Sequence, residues 1–290
     1  MLRPGFEPGI CDSKGLPGFK SYLLSQNLER KTALELYRYG CQYNDILNTG
    51  NASELLTFPP SKRRHVMKGL TAYSKWKGQY TKWQRIRNNY QLKWSSGNNS
   101  IEGFHNMVRE NGVGNIDDML EWIKQTINEF PRFANILKFN VLTGLRPQES
   151  IDSFNLLLSH KRQEYLSEDK RLIQHYKFPN LFIRRTKKAF ISLATRSILE
   201  LLVECDKSFT YEMLRLTITR QSKREFKMSY CRKIFATFMR NEGVEPELID
   251  LLQGRIPNSV FVRHYYRPPM SKFNEIRSKL DKLYYTIIEK

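Results

Sequence analysis

The sequence predicts a mainly α protein of two domains with one small β-hairpin. Three observations predict it. Apolar residues recur at spacings of three and four through most of the chain, the period of an amphipathic helix. One stretch, Leu181–Ile191, instead has apolar ends around a polar centre of Arg, Thr and Lys, the pattern of a short hairpin. The run Ser95-Ser96-Gly97-Asn98-Asn99-Ser100 is small, polar and flexible, and it divides the 290 residues into two pieces that can each bury a core.

The elements follow in order. Residues 1–16 hold Gly, Pro and a short polar run and read as a loose leader. From Pro17 to about Trp94 the pattern is helical: Phe19, Tyr22 and Leu23 start one apolar face, and Leu34, Leu36 and Tyr37 belong to a second helix. Asn48-Thr49-Gly50-Asn51 and Pro59-Pro60 mark breaks, and a long helical pattern follows from about Ser61. Residues 17–95 form the first domain, 96–101 the linker and 102–270 the second domain. Within the second, residues 116–143 read as two helices broken near Pro131, and residues 195–205, 228–242 and Leu248–Leu252 as further helices. The last segment, 271–290, places Phe273, Ile276, Leu280, Leu283 and Ile287 on one narrow seam, suited either to the chain's own domain or to a neighbouring copy.

Composition narrows the function. No apolar run approaches the ~20 residues that span a membrane, and no basic segment followed by an apolar one opens the chain. The four cysteines (Cys11, Cys41, Cys205, Cys231) form no CxxC pair and the five histidines no metal-binding spacing, so the expectation is free thiols, a reducing cytosol and no zinc. The net charge of +19 points to a polyanionic partner. It divides almost evenly, +10 over residues 1–100 and +9 over the rest, so both domains are expected to touch that partner. Residues 55–101 contain no Asp or Glu but ten Lys and Arg. The stripe Leu70, Tyr73, Trp76, Tyr80 and Trp83 reads as helix core. The cations around it, Lys62, Arg63, Arg64, Lys75, Lys77, Lys82, Arg85 and Arg87, suit a phosphate backbone, giving affinity without sequence reading.

Breaking a phosphodiester without a metal requires a nucleophile, a cage of positive donors around the transition state and an acid for the leaving oxygen. Arginine suits the cage because its planar fork binds two phosphate oxygens and stays charged. No carboxylate cluster has a convincing metal-binding spacing, so a metal-free route is the one to consider. Three segments could supply the parts. In Thr143-Gly144-Leu145-Arg146-Pro147-Gln148-Glu149, Glu149 lies three residues after Arg146 and can share its helix face. Ser229-Tyr230-Cys231-Arg232-Lys233-Ile234-Phe235 sets an arginine at the front of an apolar helix. Leu251-Leu252-Gln253-Gly254-Arg255 is followed by Arg263-His264-Tyr265-Tyr266.

Alone each segment is weak. Together, in this order, they resemble the tyrosine recombinase (lambda integrase) family that includes Cre and the Xer proteins. TGLRPQE resembles its first-arginine box, CRKIFAT with NEGVEPELIDLLQGR its second-arginine helix and turn, and RRTKKAFIS its lysine-bearing hairpin. The resemblance covers roughly residues 130–270 in detail. It implies a helical core-binding domain joined to a tyrosine recombinase catalytic domain, closing as a C-shaped clamp on double-stranded DNA. It implies that Arg146 and Arg232 hold the scissile phosphate, with Glu149 orienting a donor. Lys187, favoured over Lys188, protonates the leaving 5′ oxygen, and Arg255 takes a third donor position. Tyr265, favoured over Tyr266, attacks to form a 3′-phosphotyrosine, with neither metal nor ATP. It further implies a homotetramer on DNA, with monomers or dimers off it, and a C-terminal element exchanged between neighbours.

Two departures stand out. Ser229 occupies the family's usual histidine position, three residues before the second arginine, and Arg255 stands where most members carry His or Trp. Tyr265 also falls ten residues after Arg255 rather than nine. Archaeal fusellovirus-type integrases resemble this variant, which implies an archaeal host and a place in its cytoplasm, on the nucleoid. Two other classes remain open at this point, a type IB topoisomerase and a DNA clamp of the same fold without catalysis.

The leader carries a separate clue. Pro4-Gly5-Phe6-Glu7-Pro8-Gly9 can be encoded as CCN GGA TTC GAA CCC GGN, whose complementary strand reads NCC GGG TTC GAA TCC NGG. That strand folds as a five-pair stem closing a TTCGAAT loop, the form of a tRNA T-arm. The expectation is that the start of the gene overlaps an attachment site copied from a tRNA gene.

Overall fold

The computed structural model describes residues 18–26, 28–94, 116–184, 187–203, 205, 208–255 and 264–288. It is mostly helical with one small antiparallel sheet, and it divides into two compact units, Met1–Arg109 and Glu110–Lys290. The leader and the linker expected at 96–101 lie outside the described residues.

Among its described residues the first unit has six helices: α1 (Phe19–Ser25), α2 (Arg30–Gln42), α3 (Asp45–Thr49), α4 (Ser53–Thr57), α5 (Pro60–Trp76) and α6 (Tyr80–Asn89). Pro60 opens α5 at its first turn, where the missing N–H costs nothing. The long helical pattern from Ser61 is two helices rather than one, because Gly78 sits at φ +67 between them. The aromatic stripe is core: Leu70 and Trp83 are fully buried and Tyr73 and Trp76 nearly so. The Trp83 Nε1–H is satisfied by Thr71 Oγ1 at 2.8 Å, as a buried indole requires. Phe19 packs among Tyr37, Tyr73 and Trp76 and seals the core from the α1 side. Cys41 is disulfide-bonded, correcting the expectation of free thiols. Scattered spacing does not show which cysteines meet in space, and cysteine usage therefore gives no support for a reducing compartment. Cys205 and Cys231 are free.

The second unit is built around α8 (Ala134–Thr143), which buries Ile136, Leu137, Phe139, Asn140, Val141, Leu142 and Thr143. A helix apolar on every side has to lie at the centre of its domain. Around it pack α7 (Ile116–Glu129), α9 (Pro147–Leu158), α12 (Arg196–Val203), α14 (Ser229–Asn241) and α16 (Met270–Ile288). The expected break at Pro131 is a 3-10 turn, Pro131–Phe133. α10 (Arg162–Tyr165), α13 (Tyr211–Ser222) and α15 (Pro246–Leu252) are further helices of this unit.

The hairpin reading of Leu181–Ile191 needs correction. Its start lies in a short helix, α11 (Pro179–Phe182), nucleated by Pro179 at the first turn and anchored by the fully buried Phe182. What remains of the hairpin is shorter, an antiparallel bridge between Ile183 and Lys188, with the Arg184 N–H donating to the Lys187 carbonyl at 2.8 Å and the Ala189 N–H to the Phe182 carbonyl at 2.9 Å. The regular ladder is further out, pairing β1 (Leu172–Ile173) with β2 (Ser192–Leu193) in antiparallel register. Two-residue strands are too short to leave an alternating pattern in the sequence.

α16 settles in its own unit. Ile276, Leu280, Leu283 and Ile287 are buried against α7, α8, α12 and α14. Arg277 Nε donates to the Ala194 carbonyl at 3.0 Å, and Ser197 Oγ to Asp281 at 2.7 Å. Of the two dockings open to the apolar seam, the seam here is filled by its own domain.

Candidate functional site

Three segments distant in sequence converge. α8 ends at Gly144, whose φ of +62 makes the left-handed cap that L side chains resist. A Cβ there would also lie 2.5 Å from the Phe235 ring of α14. The turn is held by the buried Asn140, whose Nδ2 donates to the Leu145 carbonyl at 2.9 Å. Arg146 follows as the cap of α9, and Glu149 lies one turn on.

Glu149 is fully buried, and its carboxylate gathers three donors. Arg146 Nη1 approaches Oε1 at 3.0 Å and Oε2 at 3.2 Å, while the Arg146 backbone N–H reaches Oε2 at 3.3 Å. Arg184 Nη2 donates to Oε1 at 3.1 Å. A charge taken out of water is tolerated only when paired and hydrogen-bonded in this way. The i,i+3 relation expected between Arg146 and Glu149 is thus present. Arg184 was not anticipated, and its one sequence signal was the doubled arginine before the lysines.

Arg232 stands in the first turn of α14, half-buried. Nη1 donates to the Gly144 carbonyl at 3.0 Å and Nη2 to the Gln253 carbonyl at 2.7 Å. Gln253, fully buried, returns a bond from Nε2 to the Arg232 carbonyl at 2.8 Å. The guanidinium therefore links the first arginine turn to the turn after α15. Burial, then the positive fields of Arg146 and Arg255, holds its pKa down at about 10. It remains protonated at neutral pH.

The hairpin docks onto both turns. Arg146 Nη1 lies 3.4 Å from the Lys188 carbonyl. Gly254, at φ +68, lies against the same peptide so tightly that a Cβ would sit 1.6 Å from the Lys188 oxygen. Lys187 is exposed and Lys188 half-buried. Arg255 is exposed, and its Nη1 lies 3.3 Å from Asp250. Ser229 is exposed at the start of α14.

The two tyrosines differ. Tyr265 is 73% exposed, and among the described residues no hydrogen bond joins it to the arginines. Tyr266 is half-buried and its hydroxyl donates to Glu245. Burial, then that carboxylate, pushes its pKa up to about 12. Lys272 of α16 approaches the same carboxylate at 3.1 Å, so Glu245 fastens Tyr266 to the rest of the unit.

In the first unit the predicted cations are on the surface. Lys62, Arg64, Lys75, Lys82 and Arg85 are exposed; Arg63, Lys77 and Arg87 are half-buried. Several lie over aromatic rings, Lys62 over Phe58 at 3.9 Å and Arg87 over Trp94 at 4.9 Å. Among the described residues none of the eight pairs with a carboxylate, and the ion pair described in this unit joins His65 to Glu35 instead. Also among the described residues, no group of His, Cys, Asp and Glu could hold a metal ion, and no helix is long and apolar enough to cross a membrane.

No curated protein and no solved structure matches the chain. A family model, that of the archaeal phage integrases, matches residues 113–287, more than half of the chain and nearly all of the second unit. The family is one of DNA-binding proteins of viral integration, and the match spans each of the converging segments. The chain belongs to the archaeal phage integrase family.

Proposed function

We propose that the chain is a tyrosine site-specific recombinase that cuts and rejoins DNA through a 3′-phosphotyrosine. The observation that carries this reading is the bridge made by Arg232, whose guanidinium joins the Gly144 turn that precedes Arg146 to the Gln253 turn that precedes Arg255. Glu149 holds Arg146, the Gly144 and Gln253 carbonyls hold Arg232, and Arg255 follows directly on that second turn; guanidiniums brought together in this way form a cage suited to an anion, and a phosphodiester supplies one.

In this reading Arg146 and Arg232 bind the non-bridging oxygens, with Arg255 as a third donor. The Tyr265 oxygen attacks phosphorus and its proton passes to water. As the P–O5′ bond breaks, Lys187 protonates the departing 5′ oxygen. Religation reverses the step, the 5′ hydroxyl attacking the phosphotyrosine and releasing Tyr265; no ATP or metal enters. The exposure of Tyr265 and the engagement of Tyr266 with Glu245 support the choice of nucleophile. The first unit's surface cations, which pair with no carboxylate among the described residues, support backbone contacts by a core-binding domain in a clamp on duplex DNA joined through the linker at 96–101. The codons possible for Pro4–Gly9 support an attachment site in a tRNA gene. A cytoplasmic site of action and a homotetramer on DNA belong to the same reading.

The test uses a duplex carrying a T-arm sequence and a nick beside the scissile phosphate, which traps the covalent intermediate. A protein–DNA adduct on a denaturing gel is expected from the wild type and from Tyr266→Phe, and none from Tyr265→Phe. An adduct lost only in Tyr266→Phe would reverse the choice of nucleophile. No adduct from any form would favour a non-catalytic clamp, and relaxation of supercoils without strand exchange would favour a topoisomerase.

A further inference from the structure

Arg184 is bonded at both ends. Its backbone N–H donates to the Lys187 carbonyl at 2.8 Å, and its Nη2 donates to the buried Glu149 at 3.1 Å. Glu149 in turn holds Arg146. One residue therefore spans the peptide that carries Lys187 and the carboxylate that orients Arg146. Its Nε is buried with no hydrogen-bond partner. An arginine meant only for the surface would keep that N–H in water; this one is desolvated so that its far end reaches Glu149. The other contacts between the hairpin and the site found among the described residues are made at the Lys188 backbone. Arg184 provides one in which donor and acceptor are both charged, the stronger kind.

We propose that Arg184 is a positioning residue that sets the place of Lys187 by tying the hairpin to Glu149. It does not contact the phosphate; it acts through the lysine. The inference rests on the recombinase reading, in which Lys187 is the acid for the leaving oxygen. Losing the tie leaves Arg146 bonded to Glu149 and leaves the arginine cage in place, so proton delivery should fail while phosphate binding survives.

The test separates these effects by changing the leaving group. Arg184→Gln and Arg184→Lys are compared with the wild type on two nicked duplexes, one with an ordinary scissile phosphate and one with a 5′-bridging sulfur. A thiolate leaves without a proton, so the sulfur substrate does not need the acid. General-acid catalysis is worth about 10²–10⁴-fold, and Arg184→Gln is expected to lose at least ~30-fold in adduct formation on the phosphate substrate at saturating DNA. On the sulfur substrate it should come within about threefold of the wild type, since only the acid's contribution has been removed. DNA affinity should be unchanged, and Arg184→Lys should recover part of the rate because it keeps a cation near Glu149. If Arg184→Gln does not fold, the same two-substrate comparison is read on Arg184→Lys.

An equal deficit on both substrates would overturn the proposal, because it would place the effect on Arg146 or on the fold. An unchanged rate on phosphate would overturn it as well. A wild type that forms no adduct on either substrate removes the recombinase reading and this inference with it. A wild-type adduct with no effect of Arg184 removes this inference alone.

Discussion

Glu149 concentrates the site's dependence on one side chain. It is fully buried between two guanidiniums and also accepts the Arg146 backbone N–H. Glu149→Gln keeps the shape but leaves two arginines facing each other without a counter-charge. Removing one partner of a buried ion pair costs about 3–5 kcal/mol. Arg146 and Arg184 are 23% and 39% exposed, so water recovers part of that, and urea unfolding should show a loss of about 2–4 kcal/mol. An unchanged midpoint would mean that the carboxylate does not hold the pair. A second residue fixes the response to acid. His175 is fully buried, bonded to Tyr165 and, at 2.8 Å, to Ser192, and burial lowers its pKa from 6.5 to about 3. The unfolded chain therefore binds a proton that the folded chain refuses across this window. Stability should be complete above pH 6.5 and fall as the pH drops towards 3, by at most about 1.4 kcal/mol per pH unit from this group. His175→Asn should flatten that slope between pH 6.5 and 4.5; an equal slope in the variant would assign the acid sensitivity to other groups.

At the scale of elements, the hairpin and the turn after α15 are seated by absence of side chain. Gly254 combines a left-handed backbone with a close approach to the Lys188–Ala189 peptide, whose backbone atoms cannot swing aside as a side chain could. Gly254→Ala is predicted to cost about 2–4 kcal/mol, from overpacking together with backbone strain. It should also lower adduct formation on the phosphate substrate, since the Lys188 peptide must shift away from the arginines. Gly243 offers the control: its φ is +79, but a Cβ there meets nothing within 4 Å. Gly243→Ala should lose only the strain, about 1 kcal/mol, and keep its activity. Equal effects from the two substitutions would show that the close approach to Lys188 is unimportant.

At the scale of the molecule, α16 belongs to the core of the second unit. Four of its apolar side chains are buried there, each worth about 1.5–3 kcal/mol. Their sum is comparable with the whole stability of an ordinary domain, about 5–15 kcal/mol. Deleting residues 273–290 should therefore abolish the cooperative thermal transition of this unit, rather than weaken assembly while sparing the fold. A truncated protein that melts with the wild type would return α16 to the role of an exchanged element.

The sequence by itself determined the helical class, the positions of most helices, the aromatic core of the first unit and the arginines at 146 and 232. Those features are written in local terms: a 3.6-residue period, prolines at first turns, one arginine beside a glycine turn and another at the front of an apolar helix. The pairing of Glu149 with Arg146 was also local, three residues apart on one helix. Tertiary structure decided what depends on segments meeting. It joined Arg232 to the Gly144 and Gln253 carbonyls, brought Arg184 to Glu149 across 35 positions, and set Gly254 against Lys188. It turned Leu181 and Phe182 into helix, because burial of Phe182 outweighs the weak preference of a short apolar run. It also separated two adjacent tyrosines, leaving one exposed and fastening the other to Glu245. Neighbours in a chain share a sequence context but not a burial environment, and burial and charge decide what a phenol can do.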